Sequence, residues 1–162
     1  MRDYRINNNG NNHNGGNKAY TDQFETNKKE VEEKFKNNRF NAEWIKTGAT
    51  TEMVTFSESS GEYMAQNGLK SSKIRGIYGE IKRIQMKGFE NAKTDFYLLK
   101  PKVAYAVGRE KANMKEIKGI IMFQMIFDQS FAHVKDNTTY KNFCNLMEAI
   151  IAYHKAYVKN DK

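Results

Sequence analysis

From residue 71 onward the chain sets apolar stripes against polar faces with the period of an α-helix. Residues 71–87 place Ile74, Ile77, Tyr78, Ile81 and Ile84 at i, i+3, i+4, i+7 and i+10, positions that line up on one side of a 3.6-residue turn. Serines at its start suit an N-cap and Gly88 a C-terminal stop. A shorter helix over residues 58–66 is expected before it. Residues 92–107 repeat the pattern with Phe96, Leu99, Val103 and Ala106, ending at Gly108. Pro101 should kink that helix or begin its second half, because proline removes a backbone bond and clashes one turn back. Residues 112–132 are the most apolar stretch, with Ile117, Ile120, Ile121, Phe123, Met125, Ile126, Phe127 and Phe131, and predict a central helix covered on more than one side. Residues 138–158 carry one long stripe, Tyr140, Phe143, Cys144, Met147, Ile150, Ile151, His154, Tyr157 and Val158, with Thr138 or Thr139 as cap. No period-two pattern competes. The expected fold is all-α, a small helical bundle of about four to five helices with short connections.

The first sixty residues differ in kind. Residues 7–17 read NNNGNNHNGGN and have nothing apolar to bury, so a flexible segment is expected. Residues 22–37 hold only Phe24, Val31 and Phe35 among lysines and glutamates, which predicts a marginal helix supported by Glu–Lys pairs. Residues 41–60 scatter Trp44, Ile45, Met53, Val54 and Phe56 among Thr, Ser and Gly, and are expected to form an irregular arm. The predicted organisation is a low-complexity and irregular N-terminal extension, residues 1–57, followed by a helical domain, residues 58–162.

Composition narrows the class. The chain has 162 residues and a single cysteine, which excludes an intrachain disulfide framework and fits a reducing, cytoplasmic location. No apolar run approaches the roughly 20 residues that span a bilayer, and the N-terminus, Met1-Arg2-Asp3-Tyr4-Arg5, has no apolar targeting stretch. The net charge of +8 points to polyanionic partners. It is unevenly placed: residues 1–60 are neutral, whereas residues 70–111 hold eleven basic and four acidic side chains.

Catalytic chemistry is not apparent. His13, His133 and His154 are far apart and none lies in a metal-ligand motif. Cys144 and His154 fall on the apolar stripe of the last helix, where a core thiol and a hydrogen-bonded core histidine are expected. No phosphate-cradling loop occurs, since the glycines of NGGN lack a following Lys and helix. A non-enzyme without cofactor or metal is the expectation.

The basic residues have a pattern. On the helix over 71–87, Arg75 and Lys82 lie beside the isoleucine stripe, with Arg83 further round and Lys73 and Lys87 on the opposite flank. Gly76 and Gly79 fall between the flanks, leaving bare backbone framed by cations that a phosphodiester or a neighbouring subunit could approach. In the next helix Lys102, Tyr105 and Arg109 share a face, with Lys100 and Lys111 nearby. Cations interleaved with an aromatic suit phosphate contact and stacking. A solvated basic face is the alternative, and a helix-turn-helix DNA-binding regulator using residues 71–87 as recognition helix is the rival function.

Three blocks in order carry a resemblance: KSSKIR at 70–75, LLKPKVAYAVGR at 98–109, and YKNF at 140–143 leading to MEAIIAYHK at 147–155. Over about residues 68–158 the chain resembles the small subunit of the type III-A CRISPR effector, the Csm complex. The resemblance implies a non-catalytic helical bundle. Several copies would line up beside the backbone subunits as an inner filament along the duplex of guide (crRNA) and target RNA. The reactions would belong to other subunits, among them the large polymerase-like one. A subunit serving any guide must use phosphates and ribose and leave sequence to base pairing. The matched RNA-binding candidates are Lys73, Arg75, Lys100, Lys102 and Arg109. Helix geometry adds Lys82 and Arg83. Lys155 matches the last block, with RNA contact, packing or a subunit contact all open.

Overall fold

A computed structural model describes residues 14–159. The elements are α1 (Asn14–Asn37), α2 (Glu43–Thr47), α3 (Thr51–Gln66), α4 (Ser71–Lys87), a 3-10 turn at Phe89–Asn91, α5 (Lys93–Glu110), α6 (Ile117–Phe131) and α7 (Asn137–Tyr157). Among the described residues there is no strand. The all-α bundle expected from the periodicity is present, and the described residues form seven α-helices where the sequence suggested four to five. His13 and most of the asparagine-rich stretch lie outside the described residues.

The two most apolar segments are the inner helices. In α6, Ile117, Ile120, Ile121, Met122, Phe123, Ile126 and Phe127 are all buried, because α1, α3 and α5 pack round it. In α7 the stripe buries Tyr140, Phe143, Cys144, Met147, Ile150 and His154, and Leu146 beside it is buried too. The extra coverage comes from α2 and α3 on one side and α4 on the other. One aromatic cluster locks α5, α6 and α7 together. The Phe96 ring stacks on Phe131 at 4.3 Å and meets Tyr140 at 5.6 Å and Phe143 at 5.9 Å edge-on. Stacked and edge-to-face pairs of this kind are the favoured aromatic geometries.

The register of α4 on α7 is antiparallel and fixed by two buried polar bonds. Tyr140 Oη donates to the Ile81 carbonyl at 2.6 Å, and His154 Nε2 donates to the Leu69 carbonyl at 2.6 Å. His154 is thus the hydrogen-bonded core histidine expected from its place on the stripe.

Residues 41–60 are not an irregular arm. They form α2 and most of α3, so position 57/58, the expected start of the helical domain, lies inside a continuous helix. Trp44 and Ile45 are buried, and Asn142 of α7 donates to the Ile45 carbonyl at 3.0 Å. α3 is rich in Ser, Thr and Gly, which is poor helix propensity, but small residues let it lie close to α7. A Cβ on Gly61 would stand 2.6 Å from His154 N and 2.9 Å from the Ile150 carbonyl oxygen. Tertiary packing therefore outweighs propensity here. Thr50 caps the helix by accepting from Met53 N at 3.2 Å.

α1 is longer than the expected 22–37 and docks on α6. Val31 is fully buried and Phe24 and Phe35 pack against the core.

Several helix ends differ from the sequence reading. The N-cap of α4 is Lys70, with no side-chain cap bond, and Ser71 already begins the helix. α5 runs through Gly108 to Glu110, with Val107 rather than Ala106 fully buried. It also continues through Pro101, which is exposed, so the carbonyl it deprives of a partner lies toward solvent. α6 starts at Ile117, after turns at residues 111–116. α7 is capped by Asp136, whose carboxylate accepts from Thr139 N at 2.8 Å in a reciprocal capping box.

Candidate nucleic-acid interface

The basic segment folds into the antiparallel pair α4 and α5, joined by the 3-10 turn. Their seam is a ladder of three ion pairs. Lys73, Glu80 and Lys87 are seven residues apart and face α5 at every second turn. Lys73 Nζ reaches Glu110 Oε1 at 2.7 Å, Lys102 Nζ reaches Glu80 Oε2 at 3.2 Å, and Lys87 Nζ reaches Asp95 Oδ2 at 3.1 Å. Polarity alternates from rung to rung, so a slip by one rung would set like charges against each other.

The middle rung is branched. Glu80 Oε2 also accepts from Arg83 Nη2, one turn along α4. The Arg83 bond, followed by Lys102, holds the Glu80 carboxyl below the usual carboxylate range. The bond to Lys87 does the same for Asp95.

Outside the seam, Lys82 reaches Glu148 of α7 at 3.4 Å, Lys93 reaches Glu90 at 2.7 Å, and Lys70 reaches buried Glu116 at 3.5 Å. All four acids of residues 70–111 are therefore engaged. Among the described residues, Arg75, Lys100, Arg109 and Lys111 of this segment are left without an ion pair. Three of these lie over aromatic rings: Lys100 over Phe131 at 5.6 Å, Arg109 over Tyr105 at 5.8 Å, and Lys111 over Phe24 at 4.6 Å. Ring faces attract cations without neutralising them, so the positive charge remains available to a second partner.

The expected site residues thus fall into distinct environments. Arg75 and Arg83 are exposed on the outer face of α4, on either side of Gly76 and Gly79, where an added Cβ would meet nothing within 4 Å. Lys73 and Lys102 belong to the seam, and Lys82 to the α4–α7 contact. Arg109 lies beside the α4 N-terminus, lining with Lys73 and Ser72 a cavity of about 230 Å³. Lys100 sits apart from these, on the α6 side of α5.

Sequence reasoning picked out Tyr105 on this surface but passed over its apolar neighbours Tyr97, Leu98 and Met86. Tyr105, Tyr97, Leu98 and Met86 are 68%, 58%, 51% and 81% exposed. Tyr97, Leu98, Pro101 and Tyr105 share one outer face of α5 by helical spacing, and that spacing is the signal that would have found them. It also passed over Glu80, whose place midway between Lys73 and Lys87 marks it as a seam residue.

Elsewhere the chemistry is quiet. Burial pushes the Cys144 thiol up to about 11, far from a reactive thiolate at neutral pH. Among the described residues no three of His, Cys, Asp and Glu gather as a metal site, and no helix is long and apolar enough to cross a membrane.

Compared with known families, residues 48–160 match the model described as Csm2 Type III-A. The match begins just ahead of α3 and leaves out α1 and α2. No curated protein and no solved structure matches the chain.

Proposed function

We propose, from the premise that the chain belongs to the Csm2 type III-A family, that it holds the guide–target RNA duplex by its backbone across the outer faces of α4 and α5. Membership makes it a subunit of a type III-A CRISPR complex. The finer reading is that it is non-catalytic, that it acts in the cytoplasm, and that several copies stack into a filament beside the backbone subunits. The large polymerase-like subunit and the other subunits would carry out the reactions.

One observation carries this reading. The acids of the basic segment are consumed by its cations, which leaves Arg75 on α4, Lys100 on the α6 side of α5, and Arg109 beside exposed Tyr105 without an ion pair. Unpaired cations beside an exposed aromatic ring suit phosphate contact and stacking on ribose or base without sequence readout. Reconstitution tests it. A complex assembled with the chain should protect a longer stretch of target RNA from added nuclease than one assembled without it. Equal protection would remove the duplex-holding role.

A further inference from the structure

Glu80 stands apart from the other acids on the α4–α5 surface. Glu110, Asp95 and Glu90 each meet one cation, whereas one oxygen of Glu80 accepts from Arg83 of its own helix and from Lys102 of the next. An anionic oxygen held between a guanidinium and an ammonium has the charge and bonding of a phosphate oxygen. The three side chains stay open to solvent, with Glu80 30%, Arg83 44% and Lys102 50% exposed. Gly79 precedes Glu80 and Gly76 lies one turn before it, so the backbone beside the carboxylate is bare. Exposed ion pairs contribute only about 0–1 kcal/mol, so an incoming anion can displace this one at little cost.

We propose that Arg83 and Lys102 form a single phosphodiester site that the Glu80 carboxylate occupies in the free protein, and that the RNA backbone displaces Glu80 on binding. The proposal rests on the duplex-holding reading above and adds a residue that opposes binding. Glu80 keeps the two cations oriented and sets a threshold against polyanions that do not also engage the rest of the surface. A weakly held RNA reaching only this point must compete with a carboxylate already in place. A duplex lying along both helices gains enough elsewhere to move it aside.

The test measures the affinity of the assembled complex for a target RNA as a function of salt. It compares the wild type with Glu80→Gln, Glu90→Gln and Arg75→Glu, each checked for an unchanged thermal melt. Glu80→Gln should tighten binding about three- to tenfold, the scale of two exposed ion pairs. It should also steepen the logarithmic salt dependence by up to about one, because no displaced carboxylate recaptures a counterion. Adding Arg83→Ala and Lys102→Ala to Glu80→Gln should abolish the gain. Glu90→Gln makes the same charge change at a site with one cation, and should give a smaller gain. Unchanged or weaker binding by Glu80→Gln, or an equal gain from Glu90→Gln, would overturn the proposal. If Arg75→Glu weakens binding in that case, the duplex-holding reading survives. If Arg75→Glu also has no effect, that reading fails with it.

Discussion

Lys73 at the start of α4 and Glu110 at the end of α5 are paired at 2.7 Å, with Glu110 almost wholly enclosed and Lys73 about one-third exposed. A lysine with the sequence features of an RNA contact therefore has a structural partner. Its charge offsets a buried carboxylate and closes one end of the α4–α5 seam.

Removing that lysine should leave Glu110 buried without its cation. Lys73→Met is expected to destabilise the protein by about 1–3 kcal/mol, below the value for fully buried pairs because Lys73 is partly solvated. Adding Glu110→Gln should recover at least half of the loss, since neither charge is then stranded. Urea denaturation of the two variants checks this. A single variant as stable as the wild type would show that the pair is dispensable.

The glycines of α3 and α4 should respond oppositely to alanine. At Gly61 a methyl group meets the α7 backbone, at 2.6 Å from His154 N, so Gly61→Ala should force the helices apart and destabilise by about 2–4 kcal/mol. At Gly76 and Gly79 the space is open, so alanine should stabilise by up to about 1 kcal/mol each. If RNA approaches the bare backbone of α4, the Gly76→Ala, Gly79→Ala double variant should be more stable yet retain target RNA less well. Thermal melts and RNA retention measured side by side separate the two effects.

Asp128 supplies a pH signature. Burial raises its carboxyl above the usual range, with Lys100 pulling the other way. A raised folded-state value means that the native protein holds the proton more tightly than the unfolded chain. This contribution is complete below the ordinary Asp value of about 4 and is lost as pH rises through the folded value. Asp128→Asn should therefore be the more stable form at pH 7, with the gap closing as the pH falls through the folded value and closed below about 4. Urea midpoints across that range test it, and a gap that widens toward acid would reverse the sign.

The one thiol should be inert in the native state. Cys144 is buried and its thiol is pushed up to about 11. A thiol reagent at pH 8 should react at the rate of global unfolding and rapidly in urea. Fast native labelling would mean that α7 opens locally.

The four helices after residue 70 could be read from the sequence because each has an apolar stripe at helical spacing, as in Ile74, Ile77, Ile81 and Ile84. Of α3 only residues 58–66 were legible, and α2 not at all, because Trp44 and Ile45 acquire their meaning only against α7, about a hundred residues away. The same division holds for the surface. Helix geometry placed Gly76 and Gly79 between a flank of Arg75, Lys82 and Arg83 and a flank of Lys73 and Lys87, because that relation lies within one helix. Which cations are already neutralised depends on partners on other helices, Glu110 for Lys73, Glu148 for Lys82 and Glu80 for Lys102. Helical spacing alone does not supply them.

The proposed role of this subunit is to grip the guide–target duplex by phosphate and ribose, through the cations its own acids leave free. The most direct test is the dissociation constant of the assembled complex for target RNA. It compares the wild type with the combined Arg75→Glu, Lys100→Glu, Arg109→Glu variant over several unrelated guides and a range of salt. The variant should bind roughly tenfold or more weakly at low salt, equally for every guide, with a salt dependence shallower by about one for each phosphate that is no longer gripped. Unchanged affinity, or a weakening confined to some guide sequences, would contradict it.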